Sequence, residues 1–165
     1  MFDMNEGNIE NIEDTQKDKY LTFCLDNETF GIEIRFVSEI ISLQPITPIP
    51  DVSLYIKGVI NLRGKIIPVI DVRLRFNKQA IEYNDRTCII VINIKDIFVG
   101  LIVDTVSEVL TIPPQDIIQP HQYGNLAHSK FIKFIGKVGD NVKLIVDCEK
   151  LVNNELEEMQ NEVVQ

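Results

Sequence analysis

The side chains suited to catalysis or metal binding are few and far apart in this sequence. Its two histidines, His121 and His128, are seven residues apart in a polar segment, a spacing that matches no common metal site. The three cysteines, Cys24, Cys88 and Cys148, form no CxxC pair, and their odd number argues against a disulfide framework. Each lies in an apolar segment, so we expect three free thiols in the core and no metal or cofactor.

Two aspartates, Asp71 and Asp147, end apolar runs and could be mistaken for paired catalytic acids. Their corresponding places in the chain favour a structural role instead, in which each accepts backbone hydrogen bonds where a strand stops. The sequence also lacks a Walker phosphate loop, a GxGxxG turn and a GxSxG elbow. It therefore predicts a protein that is not an enzyme.

An arginine lies at the bend of the stretch Tyr55–Phe76. Two apolar runs, Val59–Leu62 and Lys65–Val72, flank Arg63 and Gly64, which is the pattern of a β-hairpin. Pro68 in the second run lacks a backbone N–H and predicts an edge strand or a bulge. Arg63 is then either presented to a partner by a rigid turn or turned inward toward a carboxylate, with Glu39 and Asp71 as the candidates.

Charge and length set limits on the fold and the function. The chain has 165 residues, enough for one domain or two small lobes that share a core. Of its net charge of −9, residues 1–19 and residues 151–165 contribute −4 each, so the body is nearly neutral and offers no basic field for nucleic acid. Residues 1–19 are predicted to be a disordered acidic tail without signal-peptide character, and 153–165 an acidic tail or helix. We expect a cytoplasmic protein without direct membrane insertion.

Short strands dominate the rest of the pattern. About nine or ten apolar runs with strand spacing and almost no helix predict an all-β sandwich or barrel assembly. The segment Arg35–Leu43 fits a helical turn and a kinked strand equally well. The polar segment Asn77–Arg86 suggests approximate lobes at 20–82 and 83–152, with strands free to cross between them.

The chain also contains an internal repeat. At an offset of 69, the run Phe30–Ile32 aligns with Val99–Leu101, and Val37–Ile40 aligns with Val106–Val109. At an offset of 76, the runs Tyr55–Lys57 and Val69–Val72 align with Phe131–Lys133 and Ile145–Cys148. A tandem copy of one small β unit explains these matches and predicts two similar lobes. The second copy has Gly139-Asp140 where the first has Arg63-Gly64, so the two lobes are expected to do different work.

These motifs resemble the CheW family, the adaptor proteins of bacterial chemotaxis. The resemblance covers about residues 20–152 and rests on five segments: FGIEI at 30–34, VSEI at 37–40, YIKGVINLRGKIIPVIDVRLRF at 55–76, YNDRTCIIVI at 83–92 and VGLIVDTVSEVL at 99–110. It implies two intertwined five-stranded β-barrel lobes, a disordered N-terminal tail and a short C-terminal helix.

The resemblance also implies a function by binding alone. An adaptor of this family links the cytoplasmic tip of a methyl-accepting chemotaxis receptor to the regulatory domain of the histidine kinase CheA, and is recruited from the cytoplasm to membrane-associated receptor arrays. Two alternatives stay open: a β-barrel module that senses a small ligand, and a CheW-like part of a larger signalling protein.

Seven residues form the predicted protein-binding site. Val37 and Glu39 share one face if their segment is extended, Gly58 would let a partner backbone approach closely, and Arg63 can donate a bidentate hydrogen bond to a carboxylate. Val37 and Val109 are equally compatible with a plain core role. The full set is Val37, Glu39, Lys57, Gly58, Arg63, Val106 and Val109.

Overall fold

The computed structural model describes residues 16–119, 129–153 and 155–159. The predictions made for residues 1–15, for His121 and His128, and for residues 154 and 160–165 lie outside these ranges. Within these ranges, short α-helices are formed by α1 (Val72–Arg75), by α2 (Cys148–Leu151) and by residues 155–159. The described part contains no helix long and apolar enough to cross a membrane. The strands are β1 (Lys19–Leu25), β2 (Glu28–Glu33), β3 (Val37–Ser42), β4 (Ile56–Leu62), β5 (Lys65–Asp71), β6 (Cys88–Ile94), β7 (Ile97–Val103), β8 (Thr105–Thr111), β9 (Ile117–Ile118), β10 (Ile132–Val138) and β11 (Asn141–Val146).

These strands form two sheets, which confirms the predicted all-β fold with two lobes. One sheet has six strands in the order β8-β1-β2-β11-β10-β9, and the other has five in the order β3-β6-β7-β5-β4. The six-stranded sheet exceeds the expected five because the two-residue strand β9 pairs with β10. The sheets do not follow the division into 20–82 and 83–152, because the β1–β2 hairpin joins the late strands and the β6–β7 hairpin joins the early ones.

The internal repeat is confirmed strand by strand. The hairpin β1–β2 corresponds to β6–β7 at the offset of 69, and the unit β4–β5–α1 corresponds to β10–β11–α2 at the offset of 76. Each repeat therefore lends a hairpin to the sheet of the other. Asp71 accepts hydrogen bonds from the backbone N–H groups of Arg73 (2.9 Å) and Leu74, and Asp147 accepts one from Lys150 (3.2 Å). Both therefore accept backbone hydrogen bonds where a strand stops, as predicted, and the structure adds that they do so as N-caps of short helices.

Two ambiguous local patterns have clear outcomes. Ile34–Phe36 forms a 3-10 turn that leads directly into strand β3, so Arg35–Leu43 is a helical turn followed by a strand. An edge strand or a bulge was expected at Pro68, but β5 is not an edge strand, and the bulge of this hairpin lies in β4 between Ile56 and Gly58. The residue fits because its neighbour Val59 exchanges both backbone hydrogen bonds with Thr47 instead (2.9 Å each), and the pairing of β5 with β7 begins one residue after the proline.

The main core lies between the two sheets. A row of aromatic rings runs through it, with centroids 5.5 Å apart for Phe23 and Phe30, 5.3 Å for Phe30 and Phe76, and 5.5 Å for Phe76 and Phe131. These rings come from both repeats and are almost fully buried, as is Cys148. Burial of aromatic surface from both halves of the chain ties the lobes into one unit.

A buried arginine reinforces this contact between lobes. The guanidinium of Arg73, at the start of α1, donates to the carboxylates of Asp26 at 2.8 Å and Asp104 at 2.6 Å, and to the carbonyl of Gln79 at 2.9 Å. The hydrogen bond from Arg73 lowers the pKa of Asp26 below its usual value. Arg73 thereby joins the first helix to the β1–β2 turn and to the end of β7.

Two glycines lie where hairpins of different repeats meet in one sheet. Gly31 pairs with Ile145 in the parallel β2–β11 ladder, and Gly100 pairs with Val69 in the parallel β5–β7 ladder. A methyl group on Gly100 would lie 2.6 Å from Cγ1 of Val69 and 2.9 Å from Cγ2 of Ile89. One on Gly31 would have a single tight contact, with the Cδ1 end of Ile145 at 2.7 Å, and its other neighbours would lie at ordinary contact distances. The β5–β7 junction therefore has less room to adapt.

Gly100→Ala is expected to lower the free energy of unfolding by about 1–3 kcal/mol, because the added methyl overpacks two branched side chains. Gly31→Ala is the matched control and should cost less than about 1 kcal/mol, since the end of Ile145 can rotate away. Urea unfolding followed by circular dichroism measures both values. A loss for Gly31→Ala as large as that for Gly100→Ala would contradict this difference.

Candidate protein-docking surface

The turn between β4 and β5 holds Arg63 in a defined position. Arg63 and Gly64 have φ values of 52° and 86°, and positive φ at both central residues is typical of a type I′ hairpin turn. The side-chain oxygen of Asn61 accepts a hydrogen bond from the N–H of Gly64 at 2.8 Å. The turn is thus rigid, and its arginine side chain is 71% exposed.

Arg63 forms an ion pair with Glu39, one of the two inward partners that the sequence allows. Glu39 lies on β3 and Arg63 follows β4, and these strands are the two edges of the five-stranded sheet. The sheet therefore curls until its edges approach each other. The Glu39 side chain is 28% exposed, so the pair lies at the surface, where a single ion pair adds little stability.

A groove with an apolar floor lies beside this pair. Ile67 and Val91 are buried at its base, and Leu62 and Phe98 lie along it. The ammonium group of Lys65 sits 3.2 Å from the centroid of the Phe98 ring, a cation–π contact. This surface combines an apolar floor with two cations and one carboxylate around it. Protein interfaces have the same arrangement, with an apolar centre and a polar rim. Lys65 and Phe98 were not among the predicted site residues. Lys65 follows Arg63 by two residues in the same hairpin, whereas only the fold places Phe98 beside them.

Val37 and Val106 are repeat-equivalent and occupy equivalent places. Each lies next to a β-bulge in an edge strand, Val37 opposite Ile92 and Val106 opposite Phe23. Both are half-buried and pack against the main core. Their contacts are those of core-edge residues, so a docking role for either stays a prediction.

Lys57 and Gly58 lie on β4, with Lys57 half-buried and Gly58 buried. Gly58 has a φ of 142° at a bulge, and a Cβ atom there would lie 2.1 Å from the carbonyl oxygen of Thr47. The backbone that comes close to Gly58 is therefore that of the chain's own residues Thr47 and Pro48. This internal contact accounts for the glycine, and a close approach by a partner backbone stays a prediction.

Among the apolar residues of the predicted site, Val109 is the most exposed. It lies on the edge strand β8, and 51% of its surface is exposed. Its repeat-equivalent, Ile40 on β3, is 44% exposed. Sequence reasoning missed Ile40, although the alternation of Val37, Glu39 and Ile41 on one face of β3 puts Ile40 on the other. The edge strands β3 and β8 thus each carry an exposed apolar side chain.

The cysteines and Tyr83 carry potentially reactive groups, but their contacts are those of structural residues. Burial raises the pKa of the Cys148 thiol, and burial together with a hydrogen bond to Asp71 (2.7 Å) raises that of Tyr83. Cys24 and Cys88 are free but half-buried, so the expected core position holds only for Cys148; the other two line a cleft beside β8. The described ranges contain no cluster of three or more His, Cys, Asp or Glu side chains placed to hold a metal ion.

The duplicated two-sheet fold and the charged groove together describe a β scaffold that presents its functional groups on its surface. The family model of the CheW-like domain matches residues 19–156. The chain therefore belongs to the CheW family.

Individual relatives agree with this assignment. Chemotaxis protein CheW of Klebsiella aerogenes is 36% identical over 142 residues, covering 86% of each chain. Chemotaxis protein CheW of Bacillus subtilis is 34% identical over 138 residues, covering 84% of this chain and 88% of the relative. The crystal structure of the scaffolding protein TtCheW from Thermoanaerobacter tengcongensis superposes with a TM-score of 0.73 at 36% identity, covering 79% of this chain and 84% of that one.

The Glu39–Arg63 pair is expected to contribute little to folding. A double-mutant cycle with Glu39→Gln and Arg63→Gln should give a coupling free energy below about 1 kcal/mol, because solvent screens an exposed pair. Urea unfolding of the four proteins measures this quantity. A coupling above about 2 kcal/mol would mean that the pair is a structural element and that Arg63 is not free to engage a partner.

Proposed function

We propose that this chain is a non-catalytic adaptor of bacterial chemotaxis, which couples the cytoplasmic tips of chemoreceptors to the histidine kinase CheA. Its relatives are chemotaxis proteins, and the solved one is described as a scaffolding protein. The observation that carries the proposal is the rigid turn that presents Arg63 beside an apolar groove. On this view the protein acts in the cytoplasm and is recruited to membrane-associated receptor arrays.

The groove has the chemistry to bind a protein segment. The guanidinium of Arg63 can pair with a carboxylate of the partner while its methylene stem covers apolar surface. Because the turn fixes its backbone, little conformational freedom is lost on binding. The floor of Ile67 and Val91 supplies contact area for apolar side chains of the partner. We assign the receptor tip and the regulatory domain of CheA as the partners of this protein.

The ligand-sensing alternative has weaker support. The inside of the five-stranded sheet is filled by its own side chains, among them Ile60, Ile67, Val69, Ile89 and Val91. A packed interior favours a scaffold over a barrel that holds a ligand. We retain the CheW-like part of a larger signalling protein as the second candidate.

Arg63→Asp is expected to keep the fold and to weaken binding of the CheA regulatory domain or of the receptor hairpin by about tenfold or more. Aspartate tolerates positive φ, so the turn survives, while the reversed charge repels the carboxylate that Arg63 would bind. Isothermal titration calorimetry with each partner measures the change.

Lys150→Asp serves as the control, because it makes the same change of charge at an exposed position on α2 outside the groove. Its affinities should remain within about twofold of wild type, since a distant exposed charge is screened by salt. If folded Arg63→Asp protein binds both partners as tightly as wild type, the role assigned to this turn is wrong.

A further inference from the structure

Arg75, the last residue of α1, is a half-buried arginine without a hydrogen bond. Among the described residues its guanidinium has neither a hydrogen-bond acceptor nor an ion-pair partner. Only its Nε atom is shielded from solvent, so its two terminal nitrogens remain open to it. A buried N–H group without an acceptor costs free energy, and this arginine therefore calls for an explanation.

Two aromatic rings hold the guanidinium in place. Its central carbon lies 4.3 Å from the centroid of the Tyr55 ring and 4.5 Å from that of the Phe131 ring, which are cation–π distances. The side-chain amide of Asn153 donates to the hydroxyl of Tyr55 at 2.5 Å and fixes that ring. Tyr55 precedes β4 of one sheet and Phe131 precedes β10 of the other, so Arg75 lies where the two lobes meet.

The internal repeat shows that the fold does not need a cation at this place. Tyr55 and Phe131 are equivalent at the offset of 76, and the equivalent of Arg75 is Leu151 at the end of α2. Leu151 is buried in the main core. Since an apolar side chain completes the same helix in the other repeat, the charge of Arg75 favours a contact outside the chain.

A second cation lies beside the same ring. The ammonium group of Lys130 is 4.9 Å from the centroid of Phe131, and this exposed residue forms no ion pair among the described residues. Glu155, two residues after Asn153, accepts hydrogen bonds from Ser53 with both carboxylate oxygens (3.0 and 2.8 Å) and pairs with neither cation. The site thus holds two unpaired cations in a chain whose net charge is −9.

We infer that Arg75 binds a carboxylate side chain of the chemoreceptor tip, with Lys130 adding to the attraction. The two open nitrogens of Arg75 can donate a pair of hydrogen bonds to one carboxylate. Because the rings already restrict the arginine side chain, little conformational freedom is lost on binding. This inference rests on the proposed function and assigns one contact to one partner.

The placement of the site favours the receptor tip over the regulatory domain of CheA. Tyr55, Arg75 and Phe131 all lie outside the strands, so the site offers side chains to a partner and no strand edge for β-pairing. Such a site suits an acidic side chain that projects from a helix lying across the two lobes. Of the two proposed partners, the receptor tip is the helical one.

Arg75→Leu tests the inference by removing the charge and copying the residue of the other repeat. We expect a folded protein that binds the cytoplasmic hairpin of a chemoreceptor about tenfold more weakly than wild type, with its affinity for the CheA regulatory domain within about twofold. Arg75→Lys keeps the charge without the paired donors and should give an intermediate loss. Isothermal titration calorimetry measures the affinities, and thermal unfolding followed by circular dichroism checks the fold.

Arg86→Leu is the matched control. Arg86 is an exposed arginine in the segment before β6, and among the described residues it also lacks an ion pair. Its loss should change the affinity for either partner by less than about twofold, because salt screens a distant exposed charge.

Changes in the hairpin identify the carboxylate. Each acidic residue of the hairpin is replaced in turn by its amide. One replacement should weaken binding to wild type yet cause no further loss with Arg75→Leu, because both changes remove the same contact. A purely structural role of Arg75 would produce no such coupling.

The outcomes distinguish this inference from the proposed function. If Arg75→Leu binds the hairpin as tightly as wild type, or if no acidic residue of the hairpin couples with Arg75, the inference is overturned and the proposed function stands. The same holds if the CheA regulatory domain loses affinity and the hairpin does not. If wild type binds neither partner, the proposed function fails and takes the inference with it. Should Arg75→Leu not fold, Arg75→Lys decides by the same criteria.

Discussion

Two short parallel ladders decide how this chain folds. In one, β2 of the first repeat pairs with β11 of the second, and in the other, β5 pairs with β7. Each ladder contains a glycine, Gly31 or Gly100, because the side chain of the opposite strand occupies the space of a Cβ atom. Since each ladder joins hairpins from different repeats, neither sheet is complete without strands from both halves of the chain. The aromatic row and the contacts of Arg73 then bury the surface that the two sheets share.

The duplication explains why the fold can carry two different surfaces. The turns at Arg63 and Gly139 have nearly the same backbone, with φ values of 52° and 60°, yet one presents a guanidinium and the other presents no side chain. The glutamates Glu39 and Glu108 are kept at equivalent places on the edge strands. A swapped architecture holds both turns rigidly, so a change of one residue alters binding chemistry without altering the scaffold. Divergence at a few exposed positions therefore gives two similar lobes different surfaces.

Several residues gained their meaning only from contacts between distant segments. Phe98 joins Lys65 and Arg63 in one surface because β5 pairs with β7, a contact that the hairpin alone does not reveal. Gly58 lies against the backbone of Thr47 eleven residues earlier, a contact that its own strand does not reveal. The sheets do not follow the approximate lobe boundary near residue 82 for the same reason, because hairpins cross between sheets while composition changes only along the chain.

The sequence by itself determined the all-β class, the internal repeat, the Arg63 hairpin and the structural role of Asp71 and Asp147 as acceptors of backbone hydrogen bonds. These features depend on local spacing, turn chemistry and matching positions, which can be read from one chain. Only the tertiary structure decided that Arg63 pairs with Glu39 rather than Asp71, and that each sheet borrows a hairpin from the other repeat. Such pairings depend on which strands meet after folding, and two similar hairpins have nearly the same local preferences whichever sheet they join.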